Sequence, residues 1–226
     1  MAFSFHLWWE VSRRVELSEV EAVCEVLRPP AVPQLYFWAL QASFLEGGVS
    51  RGAAHLGLQW NPRYPESRAA NWGGYAAPAE GGGVLSGSDS PLSSTPGDPN
   101  TRDYLWRPGT PYRLRIHPSP LRGWRGEITE LETGLAVAVR DLYVGGERLG
   151  FPVVWSEVFA GCHEPSVVVR WSDCRTRTAT GAWMVPLALR ANYQLCPNTT
   201  AEVDEKGVLQ ATNTERLVPQ GAEIRL

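Results

Sequence analysis

The segment Leu35-Tyr36-Phe37-Trp38-Ala39-Leu40-Gln41-Ala42-Ser43-Phe44 is apolar on both faces at its start and alternates apolar with polar toward its end. A helix would gather its apolar side chains on one stripe, whereas this run reads as a central strand of a sheet covered on both sides. After the turn Glu46-Gly47-Gly48 comes His55-Leu56-Gly57-Leu58-Gln59-Trp60. There Leu56, Leu58 and Trp60 share one face while His55, Gly57 and Gln59 share the other.

The same period of two returns along the chain. Tyr112, Leu114 and Ile116 point one way with Arg113, Arg115 and His117 opposite. Residues 123–131 and 135–144 are joined through Glu132-Thr133-Gly134, the pattern of a hairpin. Further strands are expected at 153–159, 167–171 and 187–193, with a final hairpin turning at Lys206-Gly207. About ten strands at this spacing predict an all-β protein, a two-sheet β-sandwich of the jelly-roll or concanavalin-like kind, with little helix. The best helical candidate, Ser18 to Leu27, places apolar residues at 22, 23, 26 and 27 with Ser18 as a cap, but fits a strand nearly as well. Pro29-Pro30 ends it in either case.

Composition agrees with this class. The 226 residues are 43% hydrophobic and 20% charged, ordinary for a globular chain, and include ten Trp, 22 Gly and 18 Pro. Turn formers and large flat side chains at that frequency favour many short strands. Residues 1–226 read as one domain, with a loop-rich insertion over 62–111 that carries Gly81-Gly82-Gly83 and Ser93-Ser94-Thr95-Pro96-Gly97-Asp98-Pro99. The net charge of −3 argues against a nucleic-acid partner held through phosphates. No run approaches the roughly 18 apolar residues of a membrane span, and the first ten residues lack a secretory signal, so a soluble, cytoplasmic protein with no membrane partner is expected.

The motifs Tyr36-Phe37-Trp38-Ala39, Gly57-Leu58-Gln59, Gly123-Trp124 ahead of Glu132-Thr133-Gly134, and Trp155-Ser156-Glu157-Val158-Phe159-Ala160-Gly161-Cys162 together resemble an uncharacterised bacterial family of domains of unknown function. In that family an aromatic YFWA strand, a GxQ strand and a W-S/T-E-x-F-G-G strand recur. The likeness spans about residues 30 to 200, and the chain departs from it in the long Pro62 to Pro111 segment. It implies a concanavalin-like or jelly-roll sandwich and brings no catalytic residue with it.

Three functional classes fit the residues. A carbohydrate-binding module needs flat aromatic faces for a sugar ring and amides for its hydroxyls. Trp60, Asn61, Asn71, Trp72 and Trp106, near turn-forming residues, are the expected ligand-binding set, with Trp124 beside them. A glycan-active hydrolase or lyase needs two carboxylates across one bond. Glu130 and Glu132, two apart on a predicted strand, would point to one face about 7 Å apart. Glu157, two residues from Trp155, would carry a raised pKa suited to a general acid. The third class is a protein-interaction or structural domain without a small ligand.

No cofactor is expected. The chain has no GxSxG elbow and no phosphate loop. Asp89, Asp98, Asn100 and Asp103 lack calcium-loop spacing. Cys24, Cys162, Cys174 and Cys196 never form a CxxC, which leaves buried thiols as the expectation, with a local Cys162–Cys174 bridge or a Cys162/His163/Cys174 metal site as the alternatives.

Overall fold

A computed structural model of the chain describes residues 3–12, 15–194 and 199–225. Among them it has sixteen strands and two single-turn 3-10 helices. The strands are β1 (Phe3–Glu10), β2 (Leu17–Arg28), β3 (Tyr36–Glu46), β4 (Val49–Trp60), β5 (Arg68–Ala76), β6 (Thr101–Asp103), β7 (Pro111–Pro118) and β8 (Trp124–Glu130). They continue as β9 (Ala136–Leu142), β10 (Arg148–Val158), β11 (Val168–Thr178), β12 (Trp183–Met184), β13 (Ala188–Tyr193), β14 (Thr199–Asp204), β15 (Gly207–Thr212) and β16 (Glu223–Ile224). The all-β expectation holds. The pairings described are antiparallel and join every strand into one hydrogen-bonded network. Its longest path runs β14-β15-β11-β2-β10-β3-β4-β5-β6, with β1 and β13 branching from β10, and β7, β8 and β9 branching from β2.

Side-chain alternation explains how this sheet closes on itself. On β3, Tyr36, Trp38, Leu40, Ala42 and Phe44 all face the main core, and the intervening Phe37, Ala39, Gln41 and Ser43 face away from it. From the facing layer, Trp124 stacks on Phe44 with ring centroids 5.6 Å apart. Trp106 meets Trp38 edge-on at 5.7 Å and donates its indole N–H to the Gln59 carbonyl at 3.0 Å. Aromatic pairs of this kind add about 0.5–1.5 kcal/mol each beyond the area they bury.

The segment from Ser18 to Leu27 is strand, within β2, and its charges show why. Val20, Ala22, Cys24 and Val26 enter the core while Glu19, Glu21 and Glu25 point out. Those three acids meet arginines of the two neighbouring strands: Arg115 of β7 at 2.6 Å from Glu19, Arg170 of β11 at 2.5 Å from Glu25, and both Arg113 and Arg175 at Glu21. Glu19 and Glu21 are buried by this ladder. A helix would have scattered these carboxylates around its axis.

The 62–111 stretch contributes β5, whose small residues let it lie against β4 in full register, and the short β6. Between them, residues 77–100 run irregularly and touch the sheet through isolated bridges such as Tyr75 with Val84.

Candidate functional site

The sheet face turned away from the main core carries a cleft of about 900 Å³. Its floor follows from the register of five strands far apart in sequence. Glu157 of β10 lies directly across from Ser4 of β1 on one side and Phe37 of β3 on the other. Two residues further along, His6 pairs with Trp155 and Trp155 with Ala39. Beyond that, Gln41 pairs with His55 of β4, and then Ala53 of β4 with Tyr75 of β5. Ala39 and Gly57 sit between Trp155 and the far strands, so the floor is low there. Gly57 is obligatory, since a Cβ at this position would come within 1.9 Å of the Trp38 carbonyl oxygen.

A small apolar cluster, Phe37, Ala39, Val153 and Trp155 with Trp8 against it, belongs to this outer face of the sheet and is separate from the main core. Trp155 is engaged by other rings: Phe37 edge-on at 5.1 Å, His55 edge-on at 5.7 Å and His6 at 5.7 Å. Burial among these rings pushes both His6 and His55 down to about 4, so each imidazole is neutral across the ordinary pH range.

Glu157 stands out against that neutral lining. It has no hydrogen-bond or ion-pair partner among the described residues, and burial alone raises its pKa above the usual carboxylate value. Next to it, Ser4 donates its hydroxyl to the Gln194 side-chain oxygen at 2.7 Å. That contact fixes the Gln194 carboxamide and leaves its N–H groups to donate elsewhere. Gln41, likewise without a described partner, offers a second carboxamide along the floor. A half-buried carboxyl beside fixed neutral donors can take up a proton, release it, and hold a polar group nearby.

The expected pairing of Trp155 and Glu157 on one face is present, and the remaining site residues fall elsewhere. Trp72 and Trp106 are completely buried and Trp124 is 2% exposed, all three in the main core. Trp60 is partly buried and donates its indole N–H to the Val32 carbonyl at 3.1 Å. Asn61 and Asn71 are buried, one donating to Gln59 and the other to the Thr101 hydroxyl, both at 3.0 Å. Glu130 ends β8 and Glu132 lies in the following turn; one guanidinium nitrogen of Arg107 binds both, at 2.6 and 3.0 Å. Neither acid lines the cleft, and no second carboxylate joins Glu157 there among the described residues.

Sequence reasoning missed Ser4, His6, Gln41, His55 and Gln194. His55 and Gln41 occupy the polar side of alternating strands, which was legible. Nothing local indicated that these sides face one another across a cleft.

Cys174 is a free, buried thiol, so the local Cys162–Cys174 bridge does not form. Among the described residues no group of three or more His, Cys, Asp or Glu is gathered as a metal site, and no helix is long and apolar enough to cross a membrane.

No family model matches the chain, and no curated protein matches it. Among solved structures it is similar to scytalido-glutamic peptidase, seen with a peptide-based transition state analog and with a transition state analog inhibitor. In both, identity is 9%, 93% of this chain and 97% of the other are covered, and the TM-score is 0.47. It is also similar to SCP-B, a member of the Eqolisin family of peptidases in complex with the tripeptide Ala-Ile-His, at 8% identity, with 93% and 96% covered and a TM-score of 0.45. Superpositions this loose leave the chemistry to the chain's own residues. The expectation of a carbohydrate-binding module is corrected. The indoles assigned to sugar stacking are enclosed in the core or tied to backbone.

Proposed function

We propose that the cleft is the active site of a hydrolase acting on an uncharged, amide-containing chain, with Glu157 as its acid–base group. The observation that carries this is a carboxyl held half-buried with no partner, in a lining otherwise free of charge. Desolvating a carboxylate without compensation is unfavourable, and side chains kept in that condition concentrate where a proton must move.

In the proposed reaction the ionised Glu157 removes a proton from water, and the water oxygen adds to the substrate carbonyl carbon. The carbonyl electron pair moves onto oxygen, where the Gln194 N–H groups donate to the developing negative charge. Protonated Glu157 then returns its proton to the departing nitrogen as the C–N bond breaks. One carboxyl suffices for both transfers, so the absence of a carboxylate pair in the described lining is consistent with acyl chemistry. Amide substrates suit the carboxamides of Gln41 and Gln194, each of which both donates and accepts. The same reading takes the folded-over sheet as a sandwich of the jelly-roll or concanavalin-like kind, with its site on an outer face.

The test is digestion of a mixed library of uncharged peptides between pH 3 and pH 7, read by mass spectrometry, for the wild type and Glu157→Gln. Cleavage that falls at least a hundredfold in the variant, with its near-ultraviolet circular dichroism unchanged, supports the reading. Cleavage indifferent to the substitution, or none at any pH, overturns it.

A further inference from the structure

The part of the cleft remote from Glu157 is shaped by Tyr75, which is 56% exposed, and by Ala76, Ala77, Pro78 and Gly82. What fixes this wall lies outside the cleft. We propose that Arg140 of β9, which does not line the cleft, is a positioning residue for it: Arg140 sets where Tyr75 and residues 76–82 stand, and so how firmly a polypeptide is held there. The proposal rests on the acid–base reading above for what occupies the cleft.

After β5 the chain folds back beside it. The Ala76 N–H donates to the Gly83 carbonyl at 2.8 Å and the Leu85 N–H to the Gly74 carbonyl at 2.9 Å, so residues 83–85 run against the end of β5 and residues 77–82 form the turn between. Further on, the excursion returns to the same strand, where the Asn100 carbonyl accepts from the Trp72 N–H at 3.0 Å. The outgoing leg is also bonded to β9, through the Ser88 N–H to the Asp141 carbonyl and the Tyr143 N–H to the Ser86 carbonyl, both at 2.8 Å.

Arg140 joins the two legs. Its guanidinium donates to the Leu85 carbonyl at 3.3 Å on the outgoing leg and to the Pro99 carbonyl on the returning one, where Arg102 donates to the same oxygen at 3.0 Å. Arg140 is 6% exposed, and a rigid planar fork of donors fixes two acceptors relative to each other. Gly87 makes room for it, since a Cβ there would lie 2.8 Å from a guanidinium nitrogen of Arg140 and 2.3 Å from the Asp141 carbonyl oxygen. Leu85 is thus anchored twice, to Gly74 by its N–H and to Arg140 by its carbonyl, and it stands three residues from the wall (85 − 82 = 3). Glu157 is remote from this anchor: its β3 partner Phe37 and Ser43, the β3 partner of Ala53 beside Tyr75, are six residues apart (43 − 37 = 6). At roughly 3.3 Å per residue that is about 20 Å, so loosening the anchor acts on binding and leaves the proton transfer intact.

The test combines cleavage of long uncharged peptides with amide hydrogen exchange on the full chain. Arg140→Met keeps an unbranched stem and removes both bonds. KM is expected to rise about tenfold with kcat within about twofold of the wild type, the sign of lost binding rather than lost chemistry. In the same variant the amides of Ala76, Gly82 and Leu85 exchange about tenfold faster while those of β10 keep their rates. Arg140→Lys, a single point of charge in place of a fork, shifts both readouts the same way by less and serves where the Met variant fails to fold. Tyr75→Ala raises KM by itself, and Arg140→Met adds little to it in the double variant; effects that multiply would place the action of Arg140 elsewhere and overturn the proposal. A purely structural role predicts faster exchange throughout, β10 included, with KM unchanged. That result overturns the proposal, as does unaltered exchange at Ala76 and Leu85, and in both cases Glu157-dependent cleavage leaves the acid–base reading standing. An absence of cleavage by the wild type, or cleavage that survives Glu157→Gln, removes that reading and this proposal together.

Discussion

The indole of Trp72 occupies the space where a side chain at Gly126 would stand: a Cβ built on Gly126 comes within 2.6 Å of the Trp72 ring. These residues lie on β5 and β8, in layers that no direct ladder connects, so their contact is how one side of the folded sheet meets the other. Gly126→Ala is expected to cost about 1–3 kcal/mol by overpacking, and Trp72→Ala about 3–5 kcal/mol by leaving a cavity. Urea denaturation of the two variants measures both. Wild-type stability in Trp72→Ala would contradict the buried position of this indole.

Glu157→Gln carries two expectations of opposite sign. Activity falls, by about 10²–10⁴-fold if the group acts in general acid–base catalysis. In the wild type, activity rises with pH through a limb set above the usual carboxylate range, because the reacting form is ionised and burial disfavours it. Stability moves the other way. A carboxyl whose pKa is raised on folding favours the folded state below its unfolded pKa, and that advantage is lost as pH rises through the folded value. The Gln variant escapes this loss, so its urea midpoint is expected to exceed that of the wild type at pH 7 and to match it near pH 3.

His6 and His55 set a limit on the acid side. Both have folded values pushed down to about 4 from 6.5, so the unfolded chain binds protons first as the pH falls. Stability is complete above about pH 6.5 and declines toward pH 4 on their account. Urea midpoints measured at pH 7, 5.5 and 4 should fall progressively, and more steeply for the wild type than for His55→Phe. Parallel slopes would show that this imidazole titrates as an exposed one.

Gln210 ties four strands together inside the protein. Its side-chain oxygen accepts from the Ser156 hydroxyl at 2.7 Å and from the Trp171 indole at 2.8 Å, and its amide donates to the Phe5 carbonyl at 2.9 Å. The residue is 1% exposed. Gln210→Met keeps the volume and removes all three bonds, leaving buried groups unpaired at about 1–3 kcal/mol each. A loss of about 3 kcal/mol or more is expected by chemical denaturation. A loss under 1 kcal/mol would mean that the neighbouring groups find other partners.

Much of this architecture is legible in local pattern. Tyr36 to Phe44, Tyr112 to His117 and Val153 to Val158 are strands because side chains alternate about an extended backbone, and that period survives any tertiary arrangement. Ser18 to Leu27 is ambiguous locally, since its spacing satisfies both periods. Arginines more than eighty residues downstream, on β7 and β11, settle it by pairing with Glu19, Glu21 and Glu25. The stretch Asn71-Trp72-Gly73-Gly74 looks like a loop with an accessible indole, because its glycines suit turns. In the sheet those glycines serve close approach: a Cβ at Gly74 would meet the Ala53 carbonyl oxygen at 2.1 Å.

The order of residues by itself determined an all-β chain, and it placed Trp155 beside Glu157 on a shared side of one strand. It assigned each side chain to a face but left open which face would be covered. Only the folding over of the sheet decided that Trp72, Trp106 and Trp124 lie inside, and that Ser4, Gln41, His55, Glu157 and Gln194 converge on one cleft. The reason is physical: alternation follows from the geometry of a single strand, whereas burial and convergence arise from pairings between strands up to two hundred residues apart.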